Sequence, residues 1–594
     1  MFSTLLAESI SNHLRARDFS RLVFPGRTGA LSLLAEGSND EKGEIIHFEL
    51  PDSETSKGLL DRLDPIEFGI LAQYGAFSLP PQDICDTLIK GYFEQIHPLL
   101  PMINRTQFMR DYENPSNPPS ILLLQAILAA GTLVCQIPDL LDSNGTMDHS
   151  RRVLYKRAKS LYDAGCETDK ITIVQAMLLM SCCCSEPASI SKDMFYWTKL
   201  AISVAQGLGL HRSVENSHMR LVDRRLWKRL WWVLFTRDRV VSISLGRPFL
   251  IDKGDSDVEP LSPSDFLEEE GPGPYRYPPD STLVQFFIRY TSLSEIATFI
   301  IEEHFSVSVE HSRRTVKSAP PDITRSELAL RLWLKNLPPE LDYDYSYSQH
   351  TFWTGILYAQ FNCLHCLIHR WDLSPHGKTE QPKDQTILIT PNRQIAFETA
   401  HNIAKITENL SRTDEISKLP SIMVHVLFTA LIAILYELQT LITDKEIAEA
   451  QRALDVLVKG LRTVSTTWGT ARTLLGVFMY VARSLFKQDD SSIKARLNSA
   501  VQSPGETVII SDEQAQLFEP EPEQQLSPDE SSGLSSDNVH NFGSLAGIDQ
   551  DIERAESITG SRQNIDMLCQ LILAAGKNKN ELDGATGTAC LVDT

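Results

Sequence analysis

Residues 224–248, RRLWKRLWWVLFTRDRVVSISLGRP, decide the fold class of this chain. Two adjacent apolar stripes follow helical spacing along this segment, one formed by Leu226, Leu230 and Val233 and the other by Trp227, Trp231 and Leu234. Basic residues fall opposite the stripes, namely Arg225, Lys228 and Arg229. The pattern predicts a helix that buries a wide apolar face.

Apolar segments of helical length continue on both sides of this stretch. Breaks rich in proline and glycine separate them, as at residues 117–119, 271–274 and 337–339. Runs with the period-two alternation of a half-buried strand are few and short, and no internal repeat of fixed period is evident. The sequence therefore predicts an all-α protein with one large helical body over residues 61–490.

The two ends of the chain differ from this body. Residues 1–60 combine scattered charge with several glycines and predict a loosely structured, flexible arm, with one strand at Ile45–Leu50. Residues 497–553 contain twelve acidic residues and no lysine or arginine, which predicts a disordered acidic tail over 491–594. A short amphipathic helix is predicted within this tail at residues 564–575. Acidic segments with sparse bulky hydrophobics are typical of activation tails, and equally of linkers that bind no partner.

The overall charge limits the classes of partner. With 56 Lys+Arg against 77 Asp+Glu the net charge is -21, which repels nucleic acid, so a DNA contact must be local or provided by a partner. Ten cysteines, several in apolar surroundings, fit reduced core thiols of a cytosolic or nuclear protein. The first residues do not form a secretory signal, because no basic region precedes their apolar residues.

Two uncharged stretches, Ile121–Ile137 and Pro420–Tyr436, approach the length of a membrane helix. Each is 17 residues long, at the lower limit of about 17–25 residues that span a bilayer. Polar residues occur in both, so we predict two buried core helices and no membrane span.

Motifs for catalysis are absent from the sequence: it has no G-x-S-x-G, no P-loop, no G-x-G-x-x-G after a strand and no H-E-x-x-H. A metal-like cluster occurs at residues 363–369, CLHCLIH, where His365 and His369 are one helical turn apart. A structural zinc site usually needs four ligands from two segments, and no second cysteine or histidine pair has suitable spacing. We therefore interpret this cluster as packed core and predict no catalytic residue and no metal ligand.

A basic cluster on the first-quoted segment is the single local candidate for contact with DNA. Aromatic residues interleave with it, as in proteins that stack the bases of single strands. The aromatic positions fall in the predicted core stripe and acidic residues lie nearby, which favours a paired or solvated helix face. The cluster comprises Arg220, Arg224, Arg225, Lys228, Arg229, Arg237 and Arg239.

Three blocks, in order and suitably spaced, resemble the fungal-specific transcription factor domain of binuclear zinc-cluster regulators, with cutinase transcription factors the most similar group. They are YFEQIHPLLPMI (92–103, with Phe108), WTKLAISVAQGLGLHR (197–212) and RRLWKRLWWVLFTRDRVVSISLGRP (224–248). Weaker similarity occurs at 333–341 and 358–370. The resemblance covers roughly residues 60–480 and implies an all-helical regulatory domain.

The resemblance also implies partners and a cofactor. Family members usually carry a zinc cluster of six cysteines before this domain, but the first cysteine here is Cys85, so no zinc ligand is assigned and no cofactor is expected in this chain. A truncated gene model and a regulator that has lost its DNA reader are both consistent with this.

The function that we expect from these observations is regulation of RNA polymerase II transcription in a fungal nucleus, with a metabolic or secondary-metabolite gene set as the target. Its partners would be DNA, directly or through another factor, a second copy or another zinc-cluster regulator as dimer partner, and co-activators at the acidic tail. The alternatives are a co-regulator that lacks a DNA reader and pairs with a complete zinc-cluster factor, and an enzyme with a pocket in the helical body.

Overall fold

The structure is a computed structural model that confirms the all-helical fold. It describes residues 22–24, 26, 47–49, 63–183, 192–217, 219–271, 273–309, 311, 322–343, 351–373, 391–438, 441 and 443–485. The predicted acidic tail, its candidate helix at 564–575 and most of the predicted arm lie outside the described residues.

The first group of helices builds the side of the body that contains the uncharged stretch at 121–137. Ser120 caps the helix in this stretch by accepting a hydrogen bond from the Leu123 amide, and almost every residue of that helix is buried. It packs against its neighbours on three sides, which confirms the predicted core helix. The helices of this group are α1 (Pro65–Gln73), α2 (Gln82–Gly91), α3 (Arg105–Tyr112), α4 (Ile121–Gly131), α5 (Asp148–Asp163), α6 (Lys170–Cys183) and α7 (Met194–Leu208), and a π-helical turn (Tyr92–Ile96) extends α2.

The central helices begin with the segment that decides the fold class. Residues Leu221–Leu245 form α8, whose predicted apolar stripes are buried except for the half-buried Leu226, and Gly246 ends it in the left-handed conformation at φ 62°. Two further helices follow, α9 (Ser281–Phe305) and α10 (Thr324–Lys335). Helix α9 packs on α8 and on α10.

The last group of helices completes the core. Helix α13 contains most of the second uncharged stretch and is largely buried, as predicted. Within the described parts of the chain, none of the helices is long and apolar enough to cross a membrane. The group consists of α11 (Phe352–His369), α12 (Pro391–Arg412), α13 (Ile422–Leu438), α14 (Asp444–Val464) and α15 (Gly469–Leu485).

Short 3₁₀ turns lie between the helices. Most of them begin or end at a proline or next to an aspartate, the residues expected at such turns. They span Pro138–Leu140, Lys253–Asp255, Pro263–Phe266, Pro339–Leu341, Arg370–Leu373 and Ile416–Lys418.

The early and late helices share one hydrophobic core. The buried Arg151 on α5 donates a hydrogen bond to the carbonyl of Thr467, at 3.0 Å, and the next residue, Trp468, donates from its indole to the carbonyl of Leu419, at 2.8 Å. The first bond joins α5 to the connection between α14 and α15, so a contact between residues 316 positions apart closes the body.

A small ribbon of two strands comes from the arm. Strand β1 (Leu22–Val23) pairs antiparallel with β2 (Phe48–Glu49), with Leu22 opposite Glu49. Strand β2 lies inside the predicted strand at Ile45–Leu50, whereas β1 has no counterpart among the sequence-based predictions. Two residues is too short a length for a period-two pattern to be recognised.

Candidate functional site

The basic residues of α8 are engaged by the protein itself. Lys228 Nζ lies 3.2 Å from Asp265 Oδ2, and Arg229 Nη1 lies 3.7 Å from Glu268 Oε1. Lys228 and Arg229 are only 9% and 2% exposed. The paired face is therefore confirmed, but at these two positions the face is buried and not solvated. Asp265 and the acidic run that follows Phe266 supply the partners, a signal that is visible in the sequence.

The remaining basic residues of the cluster also have protein partners. Arg220 pairs with Asp223 at 2.6 Å, Arg225 donates to the carbonyl of Leu267, and Arg237 donates to Ser181. Arg224 lies 3.9 Å from a carboxylate of Glu215, and Arg239 pairs with Asp238. Because five of the seven cations face a carboxylate and Arg237 is buried, the cluster offers little uncompensated positive charge to a phosphate backbone.

Glu268 links the first and third signature blocks. Its carboxylate accepts the backbone N–H of Arg105 at 2.9 Å and of Thr106 at 2.8 Å, so it caps α3 directly after the first block while facing Arg229 of the third. His97 of the first block is half-buried beside this network, and the loss of hydration there lowers its pKa to about 4. The imidazole is held neutral, with its Nε2 3.0 Å from the carbonyl of Ile103.

Asp238 links the second and third blocks. Its fully buried carboxylate accepts from the Leu250 and Ile251 amides, both at 3.0 Å, and from Arg239 Nη1 at 2.8 Å. Lys199 of the second block contacts the same carboxylate and also donates to the carbonyl of Pro248 at 3.2 Å. Asp238, Arg239, Lys199 and the carbonyl of Pro248 thus form one network around a buried carboxylate, which holds the turn after α8 against α7.

The Gly-Leu-His-Arg sequence of the second block receives the ribbon from the arm. His47 Nε2 lies 2.8 Å from the carbonyl of Leu208, and the Phe24 ring meets the His211 ring edge-on at 5.2 Å. Gly209 sits between them at φ 85°, and a Cβ there would come within 2.7 Å of Phe24. Burial lowers the pKa of His47 to about 4, whereas the bond to the Leu208 carbonyl acts in the opposite direction, so the imidazole is neutral at pH 7 while it makes this contact.

A cavity of about 60 Å³ separates the first block from the last helices. Ile96, Leu99 and Trp468 give it apolar walls, and Arg237 supplies a cation. The volume is well below the roughly 150 Å³ of an apolar cavity that accepts benzene. A metabolite could therefore enter only after the surrounding helices move apart. The walls present no pair of carboxylates or carboxylate–histidine pair that would serve acid–base catalysis.

The described cysteines do not form a site for the zinc cluster of the family. Cys85 is buried on α2 and its thiol donates to the carbonyl of Pro80. Cys182 and Cys183 end α6 in the core, whereas Cys184 lies outside the described residues. Cys363 and Cys366 contact Thr429 and Thr399, and burial raises the pKa of the Cys366 thiol to about 11. Among the described residues no three cysteine sulfurs lie within 4.8 Å of one another, so they do not form a shared cluster of zinc thiolates.

The two histidines next to these cysteines contact a carboxylate on another helix. Cys363 and Cys366 are buried as predicted, but His365 and His369 both point to Glu327 on α10, at 2.8 and 3.2 Å. Glu327 was not predicted from the sequence, because it lies 38 residues before His365 and no spacing rule relates the one acid of α10 to the histidines of α11.

Comparison with known proteins agrees with the order of the three blocks. Residues 89–335 match the family described as "Fungal specific transcription factor domain". The chain is 40% identical over 461 residues to cutinase transcription factor 1 alpha of Fusarium vanettenii, which covers 77% of this chain and 49% of that protein. It is 32% identical over 455 residues to the acetamidase regulatory protein of Aspergillus fumigatus, covering 75% of this chain and 54% of the relative.

More distant similarity extends to the fusaric acid cluster transcription factor FUB12 of Gibberella moniliformis, 24% identical over 67% of this chain and 57% of that protein. The chain thus spans about half the length of these relatives. No solved structure matches it.

Proposed function

Because the chain carries a fungal specific transcription factor domain, we propose that it regulates RNA polymerase II transcription of metabolic genes in the nucleus of a fungus. The similarity to named regulators of cutinase and acetamidase, over three quarters of this chain, is the observation that carries this proposal. The helical body fits it as well, since its signature residues form structural networks and not a catalytic constellation.

The route to DNA is the least direct part of the proposal. In the described residues the basic face of α8 is paired or buried, and the cysteines do not form a zinc cluster. These observations favour a second candidate, a co-regulator that reaches promoters by pairing with a complete zinc-cluster factor. A second copy of the chain could also be the partner. The dimer would then bind DNA through residues outside the described ranges.

The acidic tail is the part that we expect to contact co-activators. Residues 497–553 hold twelve acids without a lysine or arginine, and bulky residues such as Phe518 are spaced among them. We propose that the body holds this tail masked and that an effector or partner shifts the balance toward an exposed tail.

Promoter occupancy tests the main proposal. Chromatin immunoprecipitation of the tagged full chain in its own cells should give discrete promoter peaks. Peaks that vanish when a zinc-cluster partner is deleted support the co-regulator, whereas peaks that persist support direct contact. A cytoplasmic protein without peaks would contradict regulation of transcription by this chain.

A deletion tests the tail separately. The chain without residues 497–594 should occupy the same promoters and drive a reporter less strongly, because the body and not the tail selects the site. Equal reporter activity of the shortened and full chains would refute the role of the tail and leave the occupancy result untouched.

A further inference from the structure

Two imidazoles converge on one carboxylate oxygen between α10 and α11. His365 and His369 lie one turn apart on α11, and the Nε2 atoms of both are near Oε2 of Glu327, at 2.8 and 3.2 Å. All three atoms lie within 4.8 Å of one another. Neighbouring ligand atoms in a tetrahedral zinc site with bonds of about 2.0–2.2 Å are roughly 3.3–3.5 Å apart. An ion would therefore need only small side-chain shifts.

The surrounding hydrogen bonds orient two of these groups for a metal ion. His369 Nδ1 lies 3.2 Å from Oδ1 of Asn392, an oxygen that accepts the Nδ1 proton in the tautomer that a metal ion on Nε2 requires. In the neutral ring the lone pair is then on Nε2, the atom that faces Glu327. Arg331 Nε donates to the other carboxylate oxygen of Glu327, Oε1, at 2.7 Å and leaves Oε2 turned toward the histidines. Such outer hydrogen bonds are the usual support of histidine and carboxylate ligands.

The three side chains of this group, called the trio below, differ in how far they are exposed to water. The side chain of His369 is 2% exposed, and those of Glu327 and His365 are 15% and 19% exposed. The two imidazole rings meet edge-on at 5.1 Å, which limits their rotation. The site is therefore rigid on its inner side and open to water on its outer side, where a water molecule would complete four ligands.

An ordinary histidine–glutamate pair elsewhere in the body provides an internal comparison. His401 on α12 faces Glu437 on α13 at 2.8 Å and is about as exposed as His365. In that pair one imidazole faces the carboxylate, whereas two imidazoles face the carboxylate of Glu327. Across the described residues, Glu327, His365 and His369 are the group whose three ligand atoms come close enough for one ion.

We propose that Glu327, His365 and His369 bind a divalent transition-metal ion of the zinc type, which joins α10 to α11. Imidazole with a single carboxylate suits Zn²⁺ and Co²⁺, whereas Ca²⁺ and Mg²⁺ require mostly oxygen ligands. The site contains no cysteine and is separate from the zinc cluster of the family. It does not depend on the proposed function, because the ligands and their supports are all in the helical body.

Metal titration of the full chain, purified in chelator and then freed of it, tests the site. We expect one Co²⁺ per chain with the visible absorption of a four-coordinate ion, displaced by Zn²⁺. Glu327→Gln and His365→Gln should each weaken Zn²⁺ binding at least ~10-fold in calorimetric titration, since each removes a ligand. Asn392→Ala, which removes the support of His369, should weaken it by about 10-fold.

His401→Gln is the matched control, because it breaks the single-histidine pair and leaves the trio intact. It should bind Co²⁺ and Zn²⁺ like the unaltered chain, and Zn²⁺ should raise its unfolding temperature, while Glu327→Gln gains no such increase. Circular dichroism verifies that each variant is folded. If Glu327→Gln is unfolded, the more exposed His365→Gln decides the outcome. Zinc affinity and Co²⁺ absorption that are the same in His365→Gln and in the unaltered chain would overturn the proposal, and the trio would be a hydrogen-bonded network only.

Discussion

Four hydrogen-bond donors from three segments converge on the carboxylate of Asp238. They are the Lys199 ammonium, the Arg239 guanidinium and the two amides after the Gly-Arg-Pro turn. Arg239 is itself buried, and Asp238 contributes most to the compensation of its charge. Breaking a buried ion pair by removing one partner is costly because the other charge stays without compensation.

We therefore expect Asp238→Ala to lower the free energy of unfolding by about 3–5 kcal/mol. Urea denaturation followed by circular dichroism measures this. Asp255→Asn is the control, because this aspartate is exposed in the same loop region, and it should change stability by less than about 0.5 kcal/mol. Similar midpoints for the two variants would show that the network around Asp238 contributes little.

At the scale of elements, the end of α7 is the place where the ribbon of the arm meets the body. Gly209 ends the helix with a positive φ and lies against Phe24, while His47 bonds to the carbonyl just before it. The end of α8 has the same conformation at Gly246 but open space around it. Both glycines need a positive φ, but only Gly209 also needs the absence of a side chain for packing. A comparison of the two positions therefore distinguishes backbone conformation from packing.

Gly209→Ala should release the ribbon, whereas Gly246→Ala should not. Both variants place an alanine at positive φ, which costs about 1–2 kcal/mol, but only the first also introduces a clash at 2.7 Å. Limited proteolysis should cut the segment 22–49 faster in Gly209→Ala than in the unaltered chain. Equal cleavage rates for the two variants would mean that the ribbon is not held by the α7 terminus.

At the scale of the whole molecule, burial of neutral histidines makes stability depend on pH. Burial lowers the pKa of His97, His425 and His47 to about 4, from an ordinary value near 6.5. Between these values the unfolded chain binds the protons and the folded chain does not. Stability that is present above pH 6.5 is therefore lost as the pH falls toward 4.

His425→Leu isolates one of these contributions. His425 is half-buried on α13, with Arg370 as the nearby charge, and its Nε2 has no hydrogen-bond partner among the described residues. The variant should flatten the decline in unfolding free energy between pH 6.5 and 4 by up to about 1.4 kcal/mol per pH unit, the effect of one proton. The exposed His149→Leu should retain the original pH dependence. Parallel curves for both variants would contradict the interpretation of a buried neutral imidazole.

The sequence by itself determined the helical fold class and the principal core segments. The apolar stripes of α8 and the uncharged stretches of α4 and α13 identify buried helices, because helical spacing is a local property that a window of residues records. The same local reasoning located β2 and correctly favoured a paired basic face on α8. The three signature blocks also indicate the family, because each is a contiguous stretch and their order along the chain can be read directly.

Only the tertiary structure decided which distant residues share a network. Glu268 reaches back 163 residues to α3, and Glu327 meets two histidines of another helix. The closure of the body by Arg151 and the burial of Lys228 and Arg229 depend on segments that sequence spacing does not relate. Hydrogen bonds and charge pairs of this kind form at short distances in space whatever the separation along the chain, so no periodic pattern encodes them.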